Sequence, residues 1–393
     1  MKKRGTRTCL FLHPDKIVNY KIKIMKTTIR KMIWLCFIAI AFVSCSKDED
    51  INPEEPIASC EIIVVSGTID QPTIWKEGFV YVINGSDLTI KSTLTIEPGV
   101  NVKVKDARIS VVGGKILAKG RSDKRIVFTS LADDRYCGDT NGDGKATQPA
   151  KGDWVEISLN GTTETIFQYV DIFYAGKSSG GNSNAVDISG PNSVSFTFDN
   201  CRIAHTFYQN TSYDRSCAFY GSSYMKDATV SKFSNNAFYD NGKPIYFSSF
   251  YNLDPSNVFH NPDEPSQKNT YNGIYMNFTG SPSGSTVNWN NTEVPYVLDQ
   301  YCQVYDPATI NIGPNVVVKF QRTTAGLQRA YPHNINLHAT AILTSYKDDV
   351  NGGDTNGDGN SSSPLKGDWE GLFNYYSGNY HYEQGPNILY AEN

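Results

Sequence analysis

The sequence predicts an all-β solenoid of short strands, and three observations carry that prediction. Apolar and polar residues alternate in "VNVKVKDARISVVGGKILAKG", where Val100, Val102 and Val104 flank Asn101 and Lys103. Such a period of two marks strands with one buried face. The chain also repeats itself at an offset of 215 residues. Between the copies an Asn- and Phe-bearing motif returns after 21 residues, from Phe238 to Phe259. That spacing matches one coil of a solenoid, whose repeats run about 20–30 residues.

Residues 1–44 stand apart from the fold. The stretch "MKTTIRKMIWLCFIAIAFVSC" begins at Met25 with Lys26, Arg30 and Lys31, continues through an apolar run from Met32 to Val43, and ends in Ser44 and Cys45. A basic start, a short apolar stretch and a small residue before the break describe an export signal. Met1 to Ile24 reads as upstream extension. This segment holds ten of the 36 basic and one of the 40 acidic side chains, leaving 26 against 39, or −13. So acidic a chain does not suit nucleic acid or an anionic membrane surface, and it does suit cations. Residues 45–58, beginning "CSKDED", read as a polar, acidic tether.

The first β block is expected over 59–286 and the second, repeating the N-terminal part of the first, over 287–393. At the 215-residue offset Tyr81 falls on Tyr296, Thr129–Ser130 on Thr344–Ser345, and Asp133–Asp134 on Asp348–Asp349. "PAKGDW" (Pro149–Trp154) falls on "PLKGDW" (Pro364–Trp369), and with one residue of slippage "IEPGVNVKV" matches "IGPNVVVKF". The middle region carries "FDNCRI", "FSNNAFYDNG" and "SNVFHN". Asn at coil corners tolerates left-handed backbone and bonds neighbouring peptide groups. Paired β-sandwiches would also give period-two strands, but the 21-residue spacing favours the solenoid.

In order along the chain, "TIEPGVNVKV", "KRIVFTS", "GDTNGDG" and "KGDW" resemble the right-handed parallel β-helix surface lipoproteins of Bacteroidota type, in the pectate-lyase-like superfold. The resemblance implies a right-handed parallel β-helix solenoid with long calcium-loop insertions, from about residue 60 onward. Ser44–Cys45 resembles a lipobox, with Phe42 in place of the usual Leu, so Cys45 would be the lipidated residue. The acidic residues after it resemble a surface-export signal. Together these imply an exported lipoprotein of the outer membrane, exposed at the cell surface. A β-helix also needs capped ends. Residues 59–75 are expected to cap one end. At the other, either Tyr375, Tyr376, Tyr380 and Tyr382 fold back, another chain covers the edge, or the reading frame is truncated.

Two loops carry the clearest chemistry. Calcium takes six to eight hard oxygen ligands, which acidic side chains on alternate residues of a tight loop supply. Asp139, Asn141 and Asp143 occupy positions 1, 3 and 5 of such a loop, and Gly144 permits the sharp turn at position 6. Lys145 would offer only its carbonyl. The second copy has Asp354, Asn356, Asp358 and Asn360 in the same places. The usual closing Glu is missing: Ala150 and Leu365 stand at position 12, and Asp153 and Asp368 each follow three residues later within "KGDW". These two Asp are expected to close the shell, with Asp134 and Asp349 as weaker candidates. The alternative is an Asn/Asp/Gly turn that needs no ion.

Catalytic signals are sparse. His205, His260, His333, His338 and His381 form no zinc motif, and the chain has no nucleophile elbow or P-loop. His205 and His260 read as corner residues, and Trp154 and Trp369 as core anchors. Cysteines 60, 137, 201, 217 and 302 leave their pairing open. Cys201 and Cys217 are nearest in sequence, and buried free thiols are an equal alternative. The expected role is non-enzymatic binding or structure, through a glycan or other macromolecule such as a surface protein, with structural calcium. "SFYNLDP" and "AFYGSSY" are candidate parts of an aromatic and amide face. The alternative is a polysaccharide lyase or glycoside hydrolase, which requires carboxylates, alone or with Arg, on adjacent coils of one face.

Overall fold

In a computed structural model, the residues described are 60–178, 183–188, 192–208, 216–222, 230–247, 251–278, 286–377 and 379–392. Cys45 and the two N-terminal segments lie outside them, as do parts of "SFYNLDP" and "AFYGSSY". The described residues belong to one compact unit, 57–393.

The chain winds through short strands that visit three sheets in rotation. Glu61–Val64 enters the first sheet, Gly67–Ile69 the second and Thr73–Trp75 the third. Phe79–Asn84 then returns to the first, paired parallel to Glu61–Val64. Repetition builds a seven-stranded first sheet, an eleven-stranded second and a six-stranded third, all with parallel pairings. This is a parallel β-helix. Among the described residues the only helical turn is the 3-10 segment Pro332–Asn334.

The core follows the alternation. Val100, Val102, Val104, Ile109, Val111 and Ile116 point inward and are buried, joined by both tryptophans, Trp154 and Trp369. Phe238 and Phe259, the residues 21 apart, stack at 6.0 Å on neighbouring coils. At the corners Asn236 Oδ1 accepts Cys201 N–H at 2.9 Å, and Asn257 Oδ1 accepts the Asn236 N–H at 3.1 Å. Each buried Asn thereby satisfies peptide groups that the turn would leave unpaired.

The duplication has a geometric twist that the sequence does not show. Strands Asn101–Lys105 and Ile126–Ser130 lie in the first sheet. Their counterparts, Val317–Phe320 and Ile342–Ser345, extend the second sheet instead. The second copy is therefore turned by one face about the helix axis. Its remaining strands form a three-stranded sheet (Thr286–Trp289, Thr309–Ile312, Ile335–Leu337) and a four-stranded one. The four-stranded sheet ends in an antiparallel hairpin of Gly371–Tyr376 with Asn379–Tyr382, which packs Tyr380 on Tyr375 and Tyr382 on Phe373. Ile388 and Ala391 then pair with Leu343 and Trp369.

The disulfide joins Cys60 to Cys137, across 77 residues. Cys201 and Cys217 do not pair with each other. Both are buried free thiols, like Cys302. They lie in different ladders, with Cys201 at a corner before the first-sheet strand Arg202–Ala204 and Cys217 opening a second-sheet strand.

Candidate metal centre

Each acidic loop leaves the helix after the matching strand, Ile126–Ser130 or Ile342–Ser345, and the two exits are built alike. Thr129 Oγ donates to Asp133 at 2.6 Å, and Thr344 Oγ donates to Asp348 at 2.6 Å. At the far end Ser130 Oγ donates to Asp153 at 2.5 Å, and Ser345 Oγ to Asp368 at 2.7 Å. Trp154 and Trp369 then enter the core, each indole N–H bonded to a backbone carbonyl, of Phe173 and Leu389. Gly144 and Gly359 take φ of 73° and 62°, the left-handed backbone that the loop spacing predicts for them.

Within the second loop three carboxylates converge. One oxygen from each of Asp349, Asp354 and Asp358 lies within 4.8 Å of the others. Calcium holds oxygens at 2.3–2.6 Å, so two ligands of one ion are at most about 5 Å apart. Both Asp349 oxygens are buried without a hydrogen-bond partner. Burial, then the neighbouring Asp354, pushes the Asp349 carboxyl above its usual range. Asp354 accepts Asp358 N–H at 3.1 Å and Gly359 N–H at 2.9 Å, which shapes the turn. Asp358 accepts from Asn356 Nδ2 at 2.8 Å, and its bond from Ser362 Oγ leads the contacts that hold its carboxyl low. Asn360 is exposed at the next position, with left-handed backbone.

The first loop repeats this frame. Asp139 accepts the N–H groups of Gly142 at 2.8 Å and Gly144 at 2.7 Å, and Asn141 Nδ2 donates to Asp143 at 2.9 Å. Lys145 is exposed. Asp134 Oδ1 is buried without a partner, and burial, helped by Asp139 and Asp143, raises its pKa. A cavity of about 320 Å³ opens beside it, lined by Asp133, Arg135, Gln148, Pro149 and Tyr174.

The arrangement differs from the expected shell in one respect. The weaker candidate, Asp349, joins the cluster, whereas Asp368 is not part of it. Asp368 is held by Ser345 Oγ, Leu365 N–H and Lys347 Nζ at 2.7–2.9 Å. Burial opposes its ionisation, but those donors keep its carboxyl below the usual range. Asp153 likewise accepts Ala150 N–H at 2.9 Å. Both Asp fasten the loop's return to the strand it left.

Sequence reasoning missed a lysine under each loop. Lys103 and Lys319 are fully buried, on the outward side of their strands but covered by the excursion. Lys103 Nζ donates to Gly138 O at 2.7 Å, and Lys319 Nζ to Gly353 O at 2.6 Å and Thr355 Oγ at 2.9 Å. Burial lowers the Lys319 pKa to about 8, opposed by Asp349, Asp348 and Asp354. With this ammonium beside it, the three-carboxylate cluster carries about two uncompensated negative charges, which matches a dication. The signal available in sequence was the same Lys in "VKV" and "VKF".

The loops also reach along the helix. The first is tied to Cys60, beside the first strand of its sheet, and Lys151 Nζ bonds Asp240, beside the last, at 2.7 Å. Six strand spacings, roughly 29 Å, separate those points. The second loop rests on Tyr275, whose hydroxyl meets that of Tyr346 at 2.7 Å, while Tyr346 donates to Thr355 O.

Comparison with protein-family models, curated proteins and solved structures finds no match.

Proposed function

We propose that the chain is an exported, lipid-anchored β-helix of the outer-membrane surface, in the manner of pectate-lyase-like lipoproteins. In this reading it has a non-enzymatic binding or structural role. It meets a polysaccharide or another surface protein, and its loops are stiffened by calcium. The observation that carries the calcium part is the convergence of Asp349, Asp354 and Asp358 around buried, unpartnered oxygens. Asn356 and the backbone of Asn360 would complete the second shell of oxygens. Asp134, Asp139, Asn141, Asp143 and the Lys145 carbonyl would form the first. The Cys60–Cys137 disulfide supports an oxidising compartment, and Cys45 would carry the lipid. Calorimetry of the EDTA-treated protein with calcium tests the metal: binding heat and a raised melting temperature are expected. No heat, and melting unchanged by EDTA, would remove it.

A lyase or hydrolase reading has one observation in its favour. Asp87, Arg108 and Glu156 stand in register just ahead of three neighbouring second-sheet strands. Arg108 Nε meets Glu156 at 2.8 Å, and Arg108 N–H meets Asp87 at 2.7 Å. Burial, then Asp187 on the next coil, raises the Glu156 pKa to about 7. A carboxyl raised this way beside an Arg suits general-acid work. Reproducible cleavage of acidic or neutral glycans, abolished by Glu156→Gln, would establish this reading in place of the first.

A further inference from the structure

Among the described residues the sheet ladders of the β-helix are interrupted beside Lys232–Ser234. The third sheet ends at Lys232–Ser234, and a separate three-stranded sheet begins at Thr286–Trp289. Between them the chain passes through Tyr251–Leu253 without joining either ladder. Tyr251 and Leu253 still point into the core, and Tyr251 OH donates to Ser231 O at 2.9 Å. Asn252 faces outward, and its Oδ1 accepts the Asn288 N–H at 2.9 Å. Beside this segment lies a recess of about 320 Å³, lined by Lys232, Asn252, Asp254, Asn288 and Asn290.

An amide ladder leads away from this recess. Asn288, Asn311 and Asn336 are in register on successive strands. Asn311 Nδ2 donates to Asn288 Oδ1, and Asn336 Nδ2 to Asn311 Oδ1, both at 2.8 Å. A side-chain amide has two N–H groups and two acceptor positions. The ladder uses one of each at Asn311, which leaves that rung one donor and one acceptor, and the rungs are spaced by about 4.8 Å.

We propose that the recess and its ladder bind a neutral oligosaccharide. The proposal rests on the binding reading above and gives it a location. Hydroxyl-rich sugars both donate and accept, as the amides do. Among the described residues Lys232 is the one basic side chain lining the recess, and Asp199 compensates it at 3.1 Å. Asp254 is exposed at the rim. Among the described residues an acidic polysaccharide or a nucleic acid would therefore meet the Asp254 carboxylate and a lysine already paired with Asp199. The volume is at the small end for ligand sites, which span about 300–1,000 Å³, and the ladder extends it along the helix.

The test is affinity electrophoresis of the exported chain in xylan, mannan, β-glucan and polygalacturonate, comparing wild type with Asn290→Leu and Asn311→Leu. Both substitutions are on the outer surface, and melting curves and calcium calorimetry run alongside would verify folding. Retention by a neutral polysaccharide, weakened at least tenfold in both variants with melting and calcium heat unchanged, is the expected result. Retention that ignores both substitutions would overturn this location while leaving the binding reading in place. Preference for polygalacturonate would overturn the neutral-sugar assignment. Retention by none of the four would overturn the inference outright; the calcium heat would then decide separately whether the scaffold reading survives.

Discussion

The buried ammonium of Lys319 sits 2.6 Å from the carbonyl oxygen of Gly353, one residue ahead of Asp354. Strand and acidic loop are joined there by a charge-assisted bond under the carboxylate cluster. Lys319→Met would leave Gly353 O and Thr355 Oγ without that donor and the carboxylates without a neighbouring cation. A bond to a charged group contributes about 1.5–3 kcal/mol. We predict a loss of that order in EDTA and a smaller one in saturating calcium, measured by chemical denaturation. An equal loss in both conditions would separate the lysine from the cation site.

Asp349 and Asp368 can be told apart by single amide substitutions. Asp349→Asn removes a carboxylate from the cluster and, on the calcium reading, is expected to weaken calcium binding at the second loop by tenfold or more. It also relieves repulsion, so the calcium-free protein should be equally stable or more so. Asp368→Asn breaks the bonds to Lys347 and Ser345. It should cost about 1–3 kcal/mol of stability, with a smaller effect on calcium affinity. The reverse ranking in calorimetry would restore the "KGDW" carboxylate as the closing ligand.

Much of this architecture is written locally. Alternation in "VNVKV" gives the strand faces, Phe238 and Phe259 give the coil length, and Asn236 and Asn257 give the corners. Those features depend on residues close in sequence or on one repeat unit. The turn of the second copy by one face is different, because an offset between equivalent strands does not say which sheet each one joins. The lysines were hidden for a related reason. Lys103 and Lys319 occupy polar positions of alternating strands, and only the excursion folded over them makes them buried. Asp368 stays out of the cluster because Lys347 and Ser345 hold it at the strand end, a contact that loop spacing does not show.

The disulfide is another contact set by the coil rather than by spacing. Cys60 precedes the first strand, Cys137 opens the acidic loop, and Gly138, held by Lys103, comes directly after. Peptide mapping without reductant should recover Cys60 linked to Cys137. Closing a loop of this length is worth about 4 kcal/mol in the chain-entropy account, and measured losses run about 2–5 kcal/mol. Cys60→Ser with Cys137→Ser is therefore expected to lower stability by that amount. It should also weaken cation binding at the first loop more than at the second, which rests on Tyr275 and Tyr346 instead.

Glu156 sets a pH dependence with a definite sign. Its carboxyl titrates near 7 in the folded chain because it is buried, with Asp187 adding to the effect and Arg108 only partly offsetting it. The unfolded chain releases the same proton near the ordinary Glu value of about 4.3. Between those values the folded state binds more protons, so this group's contribution to stability falls as pH rises from about 4.5 to 7. At about 1.4 kcal/mol per pKa unit, the decline is on the order of 3–4 kcal/mol. Glu156→Gln removes the titrating group and should flatten that part of the profile, leaving the variant relatively more stable at pH 8 than at pH 4.5. Denaturation curves for both proteins across pH 4–8 measure it. If the two profiles stay parallel, the Arg108 ion pair holds Glu156 charged throughout and its burial has no titration consequence.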